Sequence, residues 1–105
     1  MTAYVIGKLI VKDWDWYREY RSVTEPLIAE HGGRYLVKGG DCEKLEGVEP
    51  AGHASVLVAF PDRQAAMNWY NDPRYAAMIA LRRDSGVICD LAVVDGLDTP
   101  TPEGN

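Results

Sequence analysis

Four segments of the chain are rich in β-branched and apolar residues and are predicted to be strands. These segments are 3–11, 34–38, 54–60 and 87–95. In the third, Val56 and Val58 share one face while Leu57 and Ala59 share the other, because successive side chains of a strand point to opposite sides. Both faces are therefore apolar, whereas a strand with one face in water carries polar residues on that face.

The segment after the first strand has the three- and four-residue spacing of an amphipathic helix. Its stripe comprises Tyr17, Tyr20, Thr24, Leu27 and His31. Asp13 is predicted to be the N-cap, with Asp15 adding negative charge to the first turn. Pro26 predicts a kink because it lacks an N–H, and Gly32-Gly33 is expected to end the helix.

Two shorter helices are predicted between the third and fourth strands. Asp62 is expected to cap the first, over 63–70. Asp72 caps the second, with Pro73 at the first helical position, where its missing N–H costs nothing. Gly86 is expected to stop this helix after about Ser85.

The predicted order is β-α-β-β-α-β, which is the ferredoxin-like α+β plan with a four-stranded antiparallel sheet. Residues 1–97 are expected to form one domain and 98–105 a flexible tail. Helices in a chain of this size cover one sheet face only, and an exposed apolar face is unusual on a monomer. We therefore expect a homodimer that packs sheet to sheet, the alternative being that loop 39–52 folds over the open face.

Composition narrows the class of partner. The net charge of -5 and the single adjacent basic pair, Arg82-Arg83, argue against nucleic acid. No segment approaches the length of a membrane span, and Lys8 and Lys12 interrupt the N-terminal apolar run, so neither a membrane nor a signal peptide is expected. The two cysteines lie in unlike contexts, which favours reduced thiols and a cytoplasmic location.

Several runs of residues resemble a known family. They are GGRYLVKGG (32–40), LEG (45–47), FPD followed by AA, and WYNDPRYAAMIALRR (69–83). Together they resemble the uncharacterised family called domain of unknown function thirteen-thirty, over Tyr4 to Gly96. The resemblance implies a dimeric α+β barrel but no particular activity, since that superfamily includes cofactor-independent oxygenases, isomerases and proteins without known activity. Family members often carry an acidic residue before Phe-Pro, where this chain has Ala59.

Arg82 is the strongest candidate for chemistry, because it shares the helix stripe of Tyr75, Met78 and Ile79. A guanidinium among apolar groups must be paired or solvated. It either binds the carboxylate of a ligand as a fork or serves a structural role, paired with Glu46 or an Asp or snorkelling to the surface.

Four aromatic residues are candidate ligand-binding groups. They are Trp69, Tyr70, Tyr75 and Tyr17. Their rings and polar tips could orient a flat ligand, or they could form ordinary core.

Weaker candidates for a catalytic base are His31, His53 and Glu46. No metal site is expected, because the histidines and cysteines lack the usual ligand spacing, and no cofactor is predicted. Three functions therefore remain open. They are binding of a small aromatic or acidic molecule between helices and sheet, a cofactor-independent oxygenase or isomerase, and a structural dimer without a ligand.

Overall fold

A computed structural model describes residues 1–40 and 42–97 of the chain, so the predicted tail 98–105 lies outside the described residues. Seven elements follow one another. They are strand β1 (Ala3–Ile10), helix α1 (Tyr17–Glu30), strands β2 (Arg34–Gly39) and β3 (Ala54–Phe60), helices α2 (Arg63–Tyr70) and α3 (Pro73–Asp84), and strand β4 (Ile88–Asp95). The predicted order and α+β class are confirmed.

The four strands form one antiparallel sheet in the order β2-β3-β1-β4. Val5 in β1 lies opposite Val58 of β3 and Val93 of β4, so the alternation predicted for each strand runs in register across the centre. Strand β2 shows an irregularity between Tyr35 and Val37 that the sequence pattern did not indicate. This topology is that of the ferredoxin-like plan.

Two of the three predicted helix caps are observed. The Asp62 carboxylate accepts a hydrogen bond from the amide of Ala65 (2.8 Å), and Asp72 accepts one from the amide of Arg74 (2.9 Å). Each thereby satisfies a donor that the first helical turn leaves without a partner.

The predicted cap at Asp13 is wrong. Helix α1 begins at Tyr17, and its N-cap residue, Trp16, makes no side-chain capping bond. Asp13 instead accepts from the amide of Asp15 (3.1 Å), while its carbonyl accepts from the Trp16 indole (2.9 Å). Burial of Trp16 beside β1 explains the shift, because it holds the preceding residues in a turn.

The helices pack on one face of the sheet. Val5, Val58 and Phe60 from the strands form a core with Leu27 of α1 and Ile79 of α3. This places α1 and α3 side by side over the middle of the sheet, and the candidate site lies beneath them. Helix α1 continues through the exposed Pro26 to Glu30.

The opposite face of the sheet is apolar and partly exposed in a single chain. Ile6 is 49% exposed, Ile88 57% and Val94 43%. The loop after β2 does not close over them, since its own Leu45 and Val48 are exposed to at least 90%. In the part of the chain that the structure describes, no helix is long and apolar enough to cross a membrane.

Candidate functional site

Arg82 is almost completely buried, at 4% exposure, in the last turn of α3. Its Nη1 donates to the phenol oxygen of Tyr75 (3.1 Å) and, at 3.4 Å, to that of Tyr20. The two phenol oxygens lie 2.6 Å apart and share one hydrogen bond. Helices α1 and α3 thus meet through a polar cluster inside the apolar core.

Arg82 has no carboxylate partner among the described residues, where the ion pairs join other cations to acids. The structural alternative of a pair with Glu46 is therefore not what the structure shows. A buried charge without a counter-ion is costly, because it has lost its water without gaining an opposite charge. Arg82 is in this position.

Three buried polar atoms of the described residues lack a hydrogen-bond partner. They are Arg82 Nε, Trp69 Nε1 and Thr24 Oγ1. The half-buried pair of Tyr20 and Tyr75 adds a further donor, because two phenols that share one hydrogen bond leave one O–H proton without an acceptor among the described residues. Buried polar groups are normally paired, so the three buried atoms without a partner require an explanation.

All five of these residues line one small cavity, the inner cavity, between the helices and the sheet. Its volume is about 70 Å³. Three of the unpaired groups, on Arg82, Trp69 and the tyrosine pair, are hydrogen donors, and the hydroxyl of Thr24 can donate or accept. The cavity therefore has a surplus of donors.

The charge of the cavity wall has one sign. Arg82 and Lys38 both line it, whereas no acidic residue of the described chain does. Both are cations in a protein whose net charge is -5. Hydrogen donors and positive charge together fit a carboxylate.

Lys38, Tyr17 and Trp14 line the part of the cavity nearest the surface. Lys38 forms an ion pair with Glu25 of α1 and lies 5.3 Å from the centre of the Tyr35 ring. Partial burial raises the pKa of the Tyr17 phenol. The structure thus places Tyr17 in the same cavity as Arg82, but nearer the surface.

Trp69 and Tyr75 form the aromatic wall beside Arg82. Their ring centres are 4.5 Å apart, and Phe60 stacks on the other side of Trp69 at 5.6 Å. Tyr70 contacts both rings edge-on but does not line the inner cavity. It faces a separate cleft over β4.

The three candidate bases lie outside the inner cavity. His53 Nδ1 accepts from the amide of Val11 (2.9 Å), which ties the end of the long loop to the end of β1. Glu46 is exposed in that loop, beside Lys8. His31 Nε2 lies 3.0 Å from Asp72, in an ion cluster that joins the end of α1 to the start of α3.

The groups that do line the cavity are poor bases and nucleophiles at neutral pH. Burial raises the pKa of Tyr75 well above its ordinary value, so the phenol remains neutral and can donate. Burial also raises the pKa of the Cys89 thiol. A protonated thiol is a weak nucleophile, so the arrangement suits binding better than bond-breaking.

No group of three potential metal ligands occurs among the described residues. From the described residues, the inner cavity has one thiol, that of Cys89, and no imidazole or carboxylate. This donor set does not resemble that of any common protein metal site.

Sequence reasoning missed the roles of Tyr20 and Thr24. Both were on the predicted stripe of α1, where a polar residue among apolar ones is itself a signal. Their contribution appears only when α1 packs against α3, because the partner hydroxyl of Tyr20 belongs to Tyr75, which is distant in sequence.

Comparison with known proteins agrees with the fold. A family model described as "Domain of unknown function (DUF1330)" matches residues 2–97. No curated protein shows significant sequence similarity to the chain.

Two similar solved structures have unassigned functions or none stated. One is RPA0582, a protein of unknown function from Rhodopseudomonas palustris, with a TM-score of 0.71 and 17% identity over 93% of this chain and 84% of that one. The other is Rv0793 from Mycobacterium tuberculosis, with a TM-score of 0.50 and 16% identity over 96% of this chain and 100% of that one. Similarity at this level concerns the fold alone.

Proposed function

This chain belongs to the family of the domain of unknown function DUF1330, and from the geometry of its own inner cavity we propose that it binds a small organic acid. The carboxylate of the ligand pairs with Arg82 inside the cavity. The observation that carries this proposal is a guanidinium that is 4% exposed and has no carboxylate partner among the described residues. A bound carboxylate supplies the missing charge and accepts from the unpaired donors.

Each neighbour has a distinct part in this binding. Arg82 provides positive charge and bidentate hydrogen bonding to the carboxylate. The Trp69 indole and one phenol of the Tyr20–Tyr75 pair donate further hydrogen bonds to it. Thr24 adds a hydroxyl from α1. The aromatic rings of Trp69 and Tyr75 exclude water, which strengthens each of these bonds.

Binding is favoured over the alternative of a cofactor-independent enzyme. An oxygenase or isomerase of that kind needs a base that faces its substrate. His31, His53 and Glu46 do not line the inner cavity, and burial raises the pKa of both Tyr75 and Cys89, which do line it.

The proposal is tested by titrating acetate and its neutral analogue acetamide into the protein and following amide chemical shifts. We expect saturable shifts around Arg82 and Trp69 with acetate, and affinity for acetamide about tenfold to a hundredfold lower, as expected for loss of a charge-assisted hydrogen bond. Arg82→Met is expected to abolish acetate binding. The matched control Arg18→Met, which alters an exposed arginine of α1, leaves it unchanged.

Equal binding of acetate and acetamide would contradict a site for an acid. So would unaltered acetate binding by the folded Arg82→Met variant.

We also propose that two copies of the chain pack together through the open sheet face. The support is the exposure of Ile6, Ile88 and Val94 on a face that the helices leave open and that the long loop contacts only near Lys8 and Ser55. A second copy supplies a self-complementary apolar surface with closed twofold symmetry. A cytoplasmic location is proposed on other grounds, namely that Cys42 and Cys89 are both free thiols.

A further inference from the structure

A second depression lies on the other side of Trp69, between helix α2 and strand β4. We call it the outer cleft, and its volume is about 240 Å³. Its walls are mainly apolar. They include Met67, Trp69, Tyr70, Leu91 and Val93. No charged residue of the described chain lines this part of the surface.

The outer cleft adjoins a depression that Arg82 lines. A neighbouring depression of about 330 Å³ shares Tyr70 and Leu91 with it and is lined in addition by Arg82, Arg83 and Cys89. Leu91 lines both of these depressions and the inner cavity as well. The lining thus changes along β4 from apolar residues beside Met67 to the cations Arg82 and Arg83.

A glycine makes room for the side chain of Leu91, which lines all three spaces. Gly7 of β1 lies opposite Leu91 of β4, and a Cβ added to Gly7 would lie 2.7 Å from Leu91 Cδ2. This is closer than two carbon atoms can approach without displacement. Gly7 therefore leaves the space that the Leu91 side chain occupies.

Volume decides which part of a ligand can lie in each space. A dry apolar cavity of about 150 Å³ is known to hold a benzene ring. The inner cavity, at about 70 Å³, is less than half that size and accommodates a carboxylate but not a ring. The outer cleft, at about 240 Å³, exceeds it.

We propose that the ligand is an amphiphilic monocarboxylate whose acid group binds Arg82 and whose apolar body lies in the outer cleft. This rests on the proposed function, and it adds the chemical class of the remainder of the ligand. A dicarboxylate fits poorly, because the apolar end of the cleft offers no cation among the described residues. Among the described residues, the only acidic one at the polar end is Asp90, which is exposed and lies 3.9 Å from Lys8 on the open sheet face.

The experiment compares acetate with hexanoate by the same chemical-shift titration. For the wild-type protein we expect affinity to rise by about fourfold for each methylene group that is fully buried. Met67→Trp fills the outer cleft, so hexanoate should lose this gain while acetate binds as before. The matched control Asn68→Trp changes the next residue of α2, which is exposed, and should bind both acids like the wild type.

Val93→Phe provides a second variant that narrows the same cleft from β4, and thermal unfolding establishes that each variant is folded. If acetate binds but hexanoate binds no more tightly, the inference is overturned and the proposed function stands. The inference also fails if folded Met67→Trp and Val93→Phe both retain the full gain. Failure of the wild type to bind either acid overturns the proposed function itself.

Discussion

At the scale of single residues, the central feature is that α3 carries an arginine into the core. Arg82 is buried without a carboxylate partner among the described residues, and its side chain donates hydrogen bonds there only to two phenol oxygens. The free energy of unfolding is lowered by such an arrangement, because desolvation of the charge is only partly compensated. An arginine whose only role was to stabilise the fold would be expected to have a carboxylate partner.

This reasoning gives a prediction that separates a binding role from a structural one. Arg82→Met replaces the charge with an apolar side chain of similar length, so the free energy of unfolding should stay the same or increase, by up to about 4 kcal/mol. Urea denaturation of wild type and variant, without added carboxylate, measures the difference. A loss of about 3 kcal/mol or more would mean that Arg82 holds the fold together.

Sequence alone could identify Arg82 but not its state. The stripe of Tyr75, Met78 and Ile79 placed the guanidinium beside apolar groups but left open whether it was buried or reached the surface, and the structure shows it buried. Whether a carboxylate faced it depended on how loop residues such as Glu46 would fold. No periodicity determines that, because loop conformation has no repeating pattern.

At the scale of elements, α1 and α3 are joined at one end by charged groups. Asp72 is the N-cap of α3, and its carboxylate also accepts from the Arg74 guanidinium and lies 3.0 Å from His31 at the end of α1. Arg74 in turn pairs with Glu30 at 2.8 Å. The hydrogen bonds from Arg74, and then from His31, hold the pKa of Asp72 well below its ordinary value.

A pH dependence of stability follows from that lowered pKa. The unfolded chain takes up a proton at Asp72 near its ordinary pKa of about 3.9, whereas the folded protein does so only at lower pH. The stabilisation is therefore fully present above about pH 5 and is lost as the pH falls further. Asp72→Asn keeps a capping oxygen. As the pH falls below about 5, its thermal midpoint should decline less steeply than that of the wild type.

The matched control for this experiment is Asp62→Asn, at the N-cap of α2, where the carboxylate accepts only the capping hydrogen bond from Ala65 among the described residues. Its pH profile should resemble that of the wild type. Identical acid profiles for wild type and Asp72→Asn would show that the charged cluster contributes nothing to stability.

Element boundaries were predictable where short-range chemistry decides them. Asp62 and Asp72 cap α2 and α3 as predicted, since a carboxylate before a helix needs only the next few amides. The start of α1 was not predicted. There the burial of Trp16 against Leu9 and Ala54, residues distant from each other in sequence, outweighs the local capping preference of Asp13.

At the scale of the whole molecule, the sheet has one face covered by helices and one that a single chain leaves partly open. The helices of the described residues all pack on one side of the four-stranded sheet, so none of them covers the other side. The proposed twofold dimer resolves this, because each copy covers the open face of the other.

We predict a mass of about twice 11.7 kDa by light scattering at micromolar concentration. Ile6→Lys should shift the protein towards monomer, because pairing would bury a charge in the centre of the interface. The control Val48→Lys makes the same kind of change in the exposed loop and should leave the mass unchanged. A monomeric wild-type protein at this concentration would contradict the proposed dimer.

The sequence by itself determined the strand and helix order, the two apolar faces of the sheet and the presence of an arginine on the buried stripe of α3. These follow from periodicities of two and 3.6 residues and from caps that act over a few residues. Only the tertiary structure decided that Arg82 has no carboxylate partner among the described residues, that Tyr20, Thr24 and Trp69 line one cavity with it, and that the candidate bases lie elsewhere. The physical reason is that hydrogen-bond partners and cavities arise from the packing of elements distant in sequence, which no local pattern records.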